Sequence, residues 1–267
     1  MSAATSSVPL TETERTRLHR RAERGSFDRQ LAYQILDEGL ICHVSFVYEA
    51  EPVVLPMAYV RVGDQLYLHG SSKNRMLGVL AGGAPVCVAV TLLDGLVLAR
   101  SQFHHSMNYR SVVLFGAARE ITDPEQKQRV LGALCDHLVP GRNAESRPGT
   151  RQELGGTQLL GLPIAEASVK RRSGPPLDGS EDLALPHWSG VVPVETRFGV
   201  PLADPSLRAE TAPSLAVQRL LAAGGARTFC ARPAASAAAP EAVDQHGLLH
   251  SQRADASEPA KRGAPLR

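Results

Sequence analysis

Between Ser26 and Arg172 the apolar residues change period several times, and each change marks an element. Helical spacing comes first. Leu31, Ile35 and Leu36 share one side of a short helix, with Ser26 placed to cap it and Gly39 to end it. Alternation then takes over in residues 40–48, with Cys42, Val44 and Phe46 on one face and His43 and Ser45 on the other. Residues 49–52 read as a turn into a second strand, 53–62. Gly63-Asp64 is a two-residue hairpin signal in which glycine supplies the positive φ, and residues 65–69 form the returning strand.

A second helix is expected over 72–81, with Met76, Leu77 and Leu80 at core spacing, Gly82-Gly83 as its C-cap and Pro85 preventing continuation. Residues 86–93 and 111–115 are apolar and β-branched, as strands of a closed or nearly closed sheet are. Thr122-Asp123-Pro124-Glu125 opens a third helix: a capping oxygen, a proline in the first turn, and acids near the positive dipole end. That helix should bury Val130, Leu131, Leu134 and Leu138 and stop at Pro140-Gly141. A polar loop to Gly149 and strands over 157–164 and 165–172 complete the pattern. The expectation is one mainly antiparallel β domain, 26–207, with two or three helices. It is flanked by a polar, solvated lead-in (1–25) and an Ala/Pro-rich, disordered tail (208–267) whose periodicity fades apart from a patch at 215–221.

Composition narrows the function. A 43% hydrophobic fraction suffices for a core, and the net charge of +2, from 29 basic against 27 acidic residues, gives no general attraction to nucleic acid or acidic membranes. Aromatics make up 4% and do not interleave with basic runs, which argues against a base-stacking platform. The N-terminal stretch lacks an apolar signal core and no run is long enough to span a membrane, so a cytoplasmic location is expected. Cys42, Cys87, Cys135 and Cys230 show no CxxC spacing and fit reduced thiols.

The stretch His69-Gly70-Ser71-Ser72-Lys73-Asn74-Arg75 carries the sharpest chemical signal. Cations are disfavoured at a helix N-terminus, yet Lys73 and Arg75 both stand where a helix is expected to open. A phosphate docked among the free N–H groups, hydroxyls and cations would resolve that conflict. Three or four charge-assisted hydrogen bonds, at about 1.5–3 kcal/mol each, would hold a cofactor phosphate at micromolar strength. A capped helix with two solvated cations satisfies the same residues.

A second polar cluster, residues 100–111, lies between two apolar strands and reads as a polar loop, with Arg110 and Ser111 at a strand entry beside a cleft. Asp94-Gly95 reads as a turn. His104-His105 has no Cys or carboxylate at metal-ligand spacing, so no zinc site is expected, though one histidine is available to a flat ligand. Trp188, the only tryptophan, is either a core plug or a cover for a flat ring. No hydrolase triad, nucleophile elbow, P-loop or dinucleotide fingerprint is found, and no catalytic side chain is assigned.

In order and spacing these clusters resemble the pyridoxamine 5′-phosphate oxidase-like flavoproteins, and most closely their nitroimidazole-resistance-type branch. The matching stretches include Ile35-Leu36-Asp37-Glu38-Gly39, Leu66-Tyr67-Leu68-His69-Gly70-Ser71 with Arg75-Met76-Leu77, and Leu93-Asp94-Gly95-Leu96-Val97 with Arg100-Ser101. Ser106-Met107-Asn108-Tyr109-Arg110-Ser111-Val112, Pro140-Gly141-Arg142, Lys170 with Arg172, and Trp188-Ser189-Gly190-Val191-Val192-Pro193 continue it.

The resemblance implies an FMN-binding split β-barrel, antiparallel and Greek-key-like, acting as a homodimer with cofactor at the interface and a small-molecule substrate. It gives Ser72, Lys73, Asn74 and Arg75 to the phosphate, sets Pro56, Met57, Ala58 and Tyr59 along the isoalloxazine, and includes His69 among the cofactor residues. Arg110 and Ser111 stand where the oxidases carry a flavin-touching Arg-Gln pair, and Trp188 stands near the ring of the partner subunit. Gly190-Val191-Val192-Pro193 replaces the oxidases' substrate-binding Arg-Leu-x-Pro, which argues against pyridoxamine phosphate as substrate. A flavin-dependent oxidoreductase follows, since FMN carries the electrons and needs no protein acid or base. Competing readings are a haem-handling barrel using His69, His104 or His105, a deazaflavin (F420) reductase, and a non-catalytic flavin store.

Overall fold

The computed structural model describes residues 8–208 and 211–223. Its ten strands are β1 (Gly25–Ser26), β2 (Ile41–Tyr48), β3 (Glu51–Val62), β4 (Gln65–Ser71), β5 (Pro85–Leu98), β6 (Ser106–Ala117), β7 (Arg119–Glu120), β8 (Thr157–Pro163), β9 (Glu166–Arg172) and β10 (Gly190–Pro193). They form one curled antiparallel sheet in the order β1-β9-β6-β5-β2-β3-β4-β8-β7, with β10 on the free edge of β5. The fold is a split β-barrel. The expected period-2 alternation is realised in β2, where Cys42, Val44 and Phe46 point inward to meet Val86, Val88, Val90, Val112 and Leu114.

Five α-helices flank the sheet among the described residues: α1 (Arg29–Glu38), α2 (Arg75–Ala81), α3 (Pro124–Leu138), α4 (Arg151–Gly156) and α5 (Leu215–Ala222). α1 closes the barrel, burying Ile35 and Leu36. Asp28, not Ser26, caps it, accepting from the N–H groups of Gln30 and Leu31. Gly39 ends α1, and the position has no room for a side chain: a Cβ there would stand 2.6 Å from the Tyr59 hydroxyl and 2.7 Å from Val90. α3 is capped by Asp123 and packs Val130 and Leu134 on Val60, Tyr67 and Leu159, while Leu138 is exposed.

Several boundaries differ from the sequence pattern for local reasons. The β2–β3 connection is the tight pair Glu49-Ala50, both in the left-handed region (φ 50° and 65°), so β3 begins at Glu51. Asp94 forms a bulge inside a fourteen-residue β5 rather than a turn between strands. α4 lies between the polar loop expected to end at Gly149 and the strand expected from 157; its Thr150–Glu153 capping box is present in the sequence but followed by only one apolar residue. The patch at 215–221 is α5, whose first turn is held by the Glu145 carboxylate accepting from the Ala216 N–H.

The N-terminal stretch lies on the sheet from Val8 onward: Leu10 is buried, Thr11 N–H donates to Ala165 O, and Arg15 and Thr13 both donate to Glu166. Cys42 is buried, Cys87 and Cys135 are half-buried, and all three are free thiols; Cys230 lies outside the described residues. Burial pushes the Cys42 thiol up to about 12.

Candidate functional site

β3 changes partner in mid-strand. Up to Ala58 it pairs with β2 (Ile41↔Ala58), and from Tyr59 it pairs with β4 (Tyr59↔Leu68). His69, Gly70 and Ser71 of β4 meanwhile pair with Leu159, Gln158 and Thr157 of β8. The two strands therefore diverge, opening a slot between Pro56-Met57-Ala58 and His69-Gly70-Ser71. Over these residues the β3 edge that faces β4 has no paired strand, which is where a flat heterocycle can take hydrogen bonds.

Side chains along the slot differ in availability. Pro56 is exposed, Met57 and Ala58 are half-buried, and Tyr59 is buried with its hydroxyl donating to Leu36 O at 2.7 Å. Tyr59 thus contributes backbone and support, and its ring is committed to the core. His69 is half-buried, and desolvation lowers its pKa, favouring the neutral imidazole.

At the end of β4 the turn carries the predicted cations, but α2 opens at Arg75 rather than at the serines. Asn74 is the N-cap, accepting from the Leu77 N–H. The N–H groups of Ser72, Lys73 and Asn74 go to Gly156 O, Ser71 Oγ and Ser71 O. An anion here would therefore be met chiefly by side chains: the Ser72 hydroxyl, the Lys73 ammonium and the Arg75 guanidinium, all exposed. Arg75 lies over the Tyr48 ring, and neither Lys73 nor Arg75 has an ion pair among the described residues. Lys127 steadies the turn from behind, donating to Leu154 O and Thr157 O at the end of α4.

The β6 pair lies elsewhere. β5, β2 and β3 stand between β6 and β4 in the sheet order, and Arg110 and Ser111 point to opposite faces. Arg110 is gripped by two carboxylates, Glu38 (2.5 and 2.8 Å) and Asp94 (2.7 and 2.9 Å), whose hydrogen bonds raise its pKa further. Its donors are consumed inside the chain. Ser111 Oγ donates to Lys170 O. Trp188 precedes β10, at the far end of β5, and is 65% exposed with its indole against Gly190. Within one chain the structure therefore joins residues 56–59, 69 and 72–75, but not Arg110, Ser111 or Trp188, to the slot.

The Glu38–Arg110–Asp94 cluster was not foreseen. Its one signal was an acidic residue at the end of α1 and another in an apolar strand, and only the bulge brings them to one arginine. Among the described residues no three His, Cys, Asp or Glu side chains converge as a metal-binding group, and no helix is long and apolar enough to cross a membrane.

A family model described as pyridoxamine 5′-phosphate oxidase matches residues 28–171, which contain the slot, the turn and the Arg110 cluster. This chain belongs to the pyridoxamine 5′-phosphate oxidase family. Two solved structures resemble it over most of their length. The FAD and haem binding protein from Mycobacterium smegmatis is 40% identical, with 76% of this chain and 97% of that one covered and a TM-score of 0.71. The flavocytochrome Anf3 from Azotobacter vinelandii is 37% identical, with 78% and 96% covered and a TM-score of 0.73. No curated protein matches. The family model ends at Arg171, whereas the similarity to both solved proteins covers more of the chain than the model does.

Proposed function

We propose that this chain is a flavin-binding redox protein, with the isoalloxazine in the slot between β3 and β4 and a flavin phosphate at Ser72, Lys73 and Arg75. The observation that carries this is the divergence of the two strands at Ala58/Tyr59, which frees a strand edge directly beside a cationic turn. The residues fit the group. A flavin ring asks for backbone donors and acceptors on one edge and an apolar bed, and its phosphate asks for cations outside the core. When bound, the flavin supplies the electron-transfer chemistry; Pro56, Met57 and Ala58 orient it and His69 screens one side from water.

FMN is the flavin the sequence resemblance implies, but the name of the Mycobacterium smegmatis relative favours FAD as the form bound here. Both present the same ring and proximal phosphate. The reading extends to an oxidoreductase acting on a small molecule, and to a homodimer that covers the exposed apolar face of β2 and β3, where Ile41, Val47 and Val54 are 57%, 61% and 57% exposed.

Haem binding is a second part of the reading. It is favoured by the words haem and flavocytochrome in the names of the two relatives and by the exposed His105, whose Nδ1 lies 2.8 Å from Ser101 O and whose Nε2 faces away from that contact.

The test is the ultraviolet–visible spectrum of the purified protein, followed by release and chromatography of the chromophore. Twin flavin bands releasing FAD or FMN are expected. A colourless protein that takes up neither flavin at micromolar concentration removes the proposal, and tighter binding of F420 than of either flavin replaces it.

A further inference from the structure

Away from the slot, the sheet edge formed by β1 and β9 gathers positive charge. β6, β5 and β2 stand between β9 and β3 in the sheet order, so this edge takes no part in the slot of its own chain. Lys170 of β9 pairs with Ser111 on one side and Gly25 on the other, and Arg172 pairs with Tyr109. Ala167 and Val169 of β9, and Val112 and Leu114 of β6, turn into the core. Strand alternation therefore puts Lys170, Ser111 and Tyr109 together on the outer face.

The backbone brings Arg24 to the same place. Arg24 ends the short 3-10 turn Ala22–Arg24, which lies against β9, and the next residue, Gly25, is the one paired with Lys170. The turn is entered through Arg21 in the left-handed region (φ 57°), which is disfavoured for a residue with a Cβ. Pairing of Gly25 and Ser26 with Lys170 and Val169 holds it there. Burial, and then the like charge of Arg24, lower the Arg172 pKa, so the two guanidiniums stand near each other.

These cations differ in what they are free to do. Arg172 is buried and spends its donors on Asn108 Oδ1 and on the carbonyls of Gly174 and Pro175. Arg24, Lys170 and Tyr109 are half-buried, and among the described residues none of their side chains has a hydrogen bond or an ion pair. The carboxylates of the adjoining segments are engaged elsewhere. Glu166 accepts from Arg15 and Thr13, Glu23 faces Arg21, Asp28 caps α1, and Asp178 holds Arg100.

Like charges gathered in a partly desolvated place oppose folding unless an anion joins them. Two free cations and a phenol hydroxyl match a doubly charged group with several acceptor oxygens, with the guanidinium as a planar fork and the ammonium as a point charge. We propose that Arg24, Lys170 and Tyr109 bind the phosphate group of a small molecule, at a site separate from the cationic turn at 72–75. This goes beyond the flavin reading and does not depend on it.

The test is calorimetric titration of inorganic phosphate into full-length protein at constant ionic strength in chloride, with the protein saturated with flavin, or as purified if it takes none. Wild type is expected to bind phosphate and to melt at a higher temperature in its presence. Lys170→Gln and Arg24→Gln should each bind at least tenfold more weakly, and Tyr109→Phe severalfold more weakly. Arg171→Gln, whose side chain lies on the other face of β9, and Arg75→Ala should bind as wild type does. Without phosphate, Arg24→Gln should melt no lower than wild type, because it removes a repelling charge rather than a contact. Undiminished binding in Lys170→Gln and Arg24→Gln overturns the site, as does the absence of phosphate binding in wild type. Binding that vanishes on flavin loading or in Arg75→Ala also overturns it, by assigning the phosphate to the turn at 72–75.

Discussion

The guanidinium carbon of Arg75 stands 4.7 Å from the centre of the Tyr48 ring. Arg75 is the first residue of α2 and Tyr48 the last of β2, so the stack ties the cationic turn to the hairpin that carries the slot's other wall. An exposed cation–π contact contributes about 0.5–1 kcal/mol, a small part of a domain's stability. Arg75→Ala should therefore lower apo stability by no more than about 1 kcal/mol. Loss of one charge-assisted contact should weaken flavin uptake about tenfold or more. Denaturant melts and flavin titrations read the two effects separately. Equal flavin affinity in variant and wild type would show that the phosphate is held elsewhere.

Arg110 gives the opposite pattern. Its removal leaves Glu38 and Asp94 facing the same cavity without their cation. The three side chains are only partly buried, so the full penalty for a broken buried pair is discounted, and Arg110→Ala should cost about 2–3 kcal/mol. Flavin binding of the folded variant at low denaturant should persist. A variant with wild-type stability and no flavin uptake would instead make Arg110 a cofactor ligand.

Much of this was legible in the sequence because it depended on local periodicity. The alternation in β2, the Gly63-Asp64 hairpin and the Asp123-Pro124 helix start each needs only a few adjacent residues, and each appears in the structure where the pattern put it. What was not legible depended on distant partners. The α2 boundary moved because Asn74 found the Leu77 N–H, and the Tyr59 side chain turned into the core because its hydroxyl found Leu36 O. Arg110 looked available until the bulge delivered Asp94 to it. Nothing in Glu49-Ala50 advertised a left-handed turn, since neither residue is glycine or asparagine.

That turn makes a stability prediction. Left-handed backbone costs a residue with a Cβ about 1–2 kcal/mol, and glycine escapes most of this at some cost in chain entropy. Ala50→Gly should therefore stabilise the protein by about 0.5–1 kcal/mol, seen as a higher denaturant midpoint at unchanged slope. A lower midpoint would mean that the turn relaxes out of this conformation in solution.

Acid should loosen the N-terminal stretch first. Hydrogen bonds from Arg15, and then from Thr13, hold the Glu166 carboxyl below its ordinary pKa of 4.5. A depressed folded pKa contributes stability above the unfolded value and loses it as pH falls through the folded one. The contribution is thus complete above about pH 4.5 and lost below it. Glu166→Gln should be less stable than wild type at neutral pH and converge with it in acid. Parallel melting curves across that range would show that the ion pair does not persist in solution.

The exposed apolar face of β2 and β3 sets the last expectation. A lysine at Val54 would stand on the sheet's outer face opposite Ser45, between Ile41 and Val47 on the neighbouring strand, where a docked copy has no water to solvate the charge. Burying an unpaired ammonium costs several kcal/mol, so Val54→Lys should shift the monomer–dimer equilibrium by about a hundredfold or more. Analytical ultracentrifugation should find wild type at twice the 28.5 kDa chain mass and the variant at the chain mass. If cofactor sits at the interface, the variant should also lose flavin in proportion to the dimer lost. A wild type that sediments as a monomer with flavin bound would put the whole cofactor site within one chain, and the slot between β3 and β4 would then have to hold the ring without a partner.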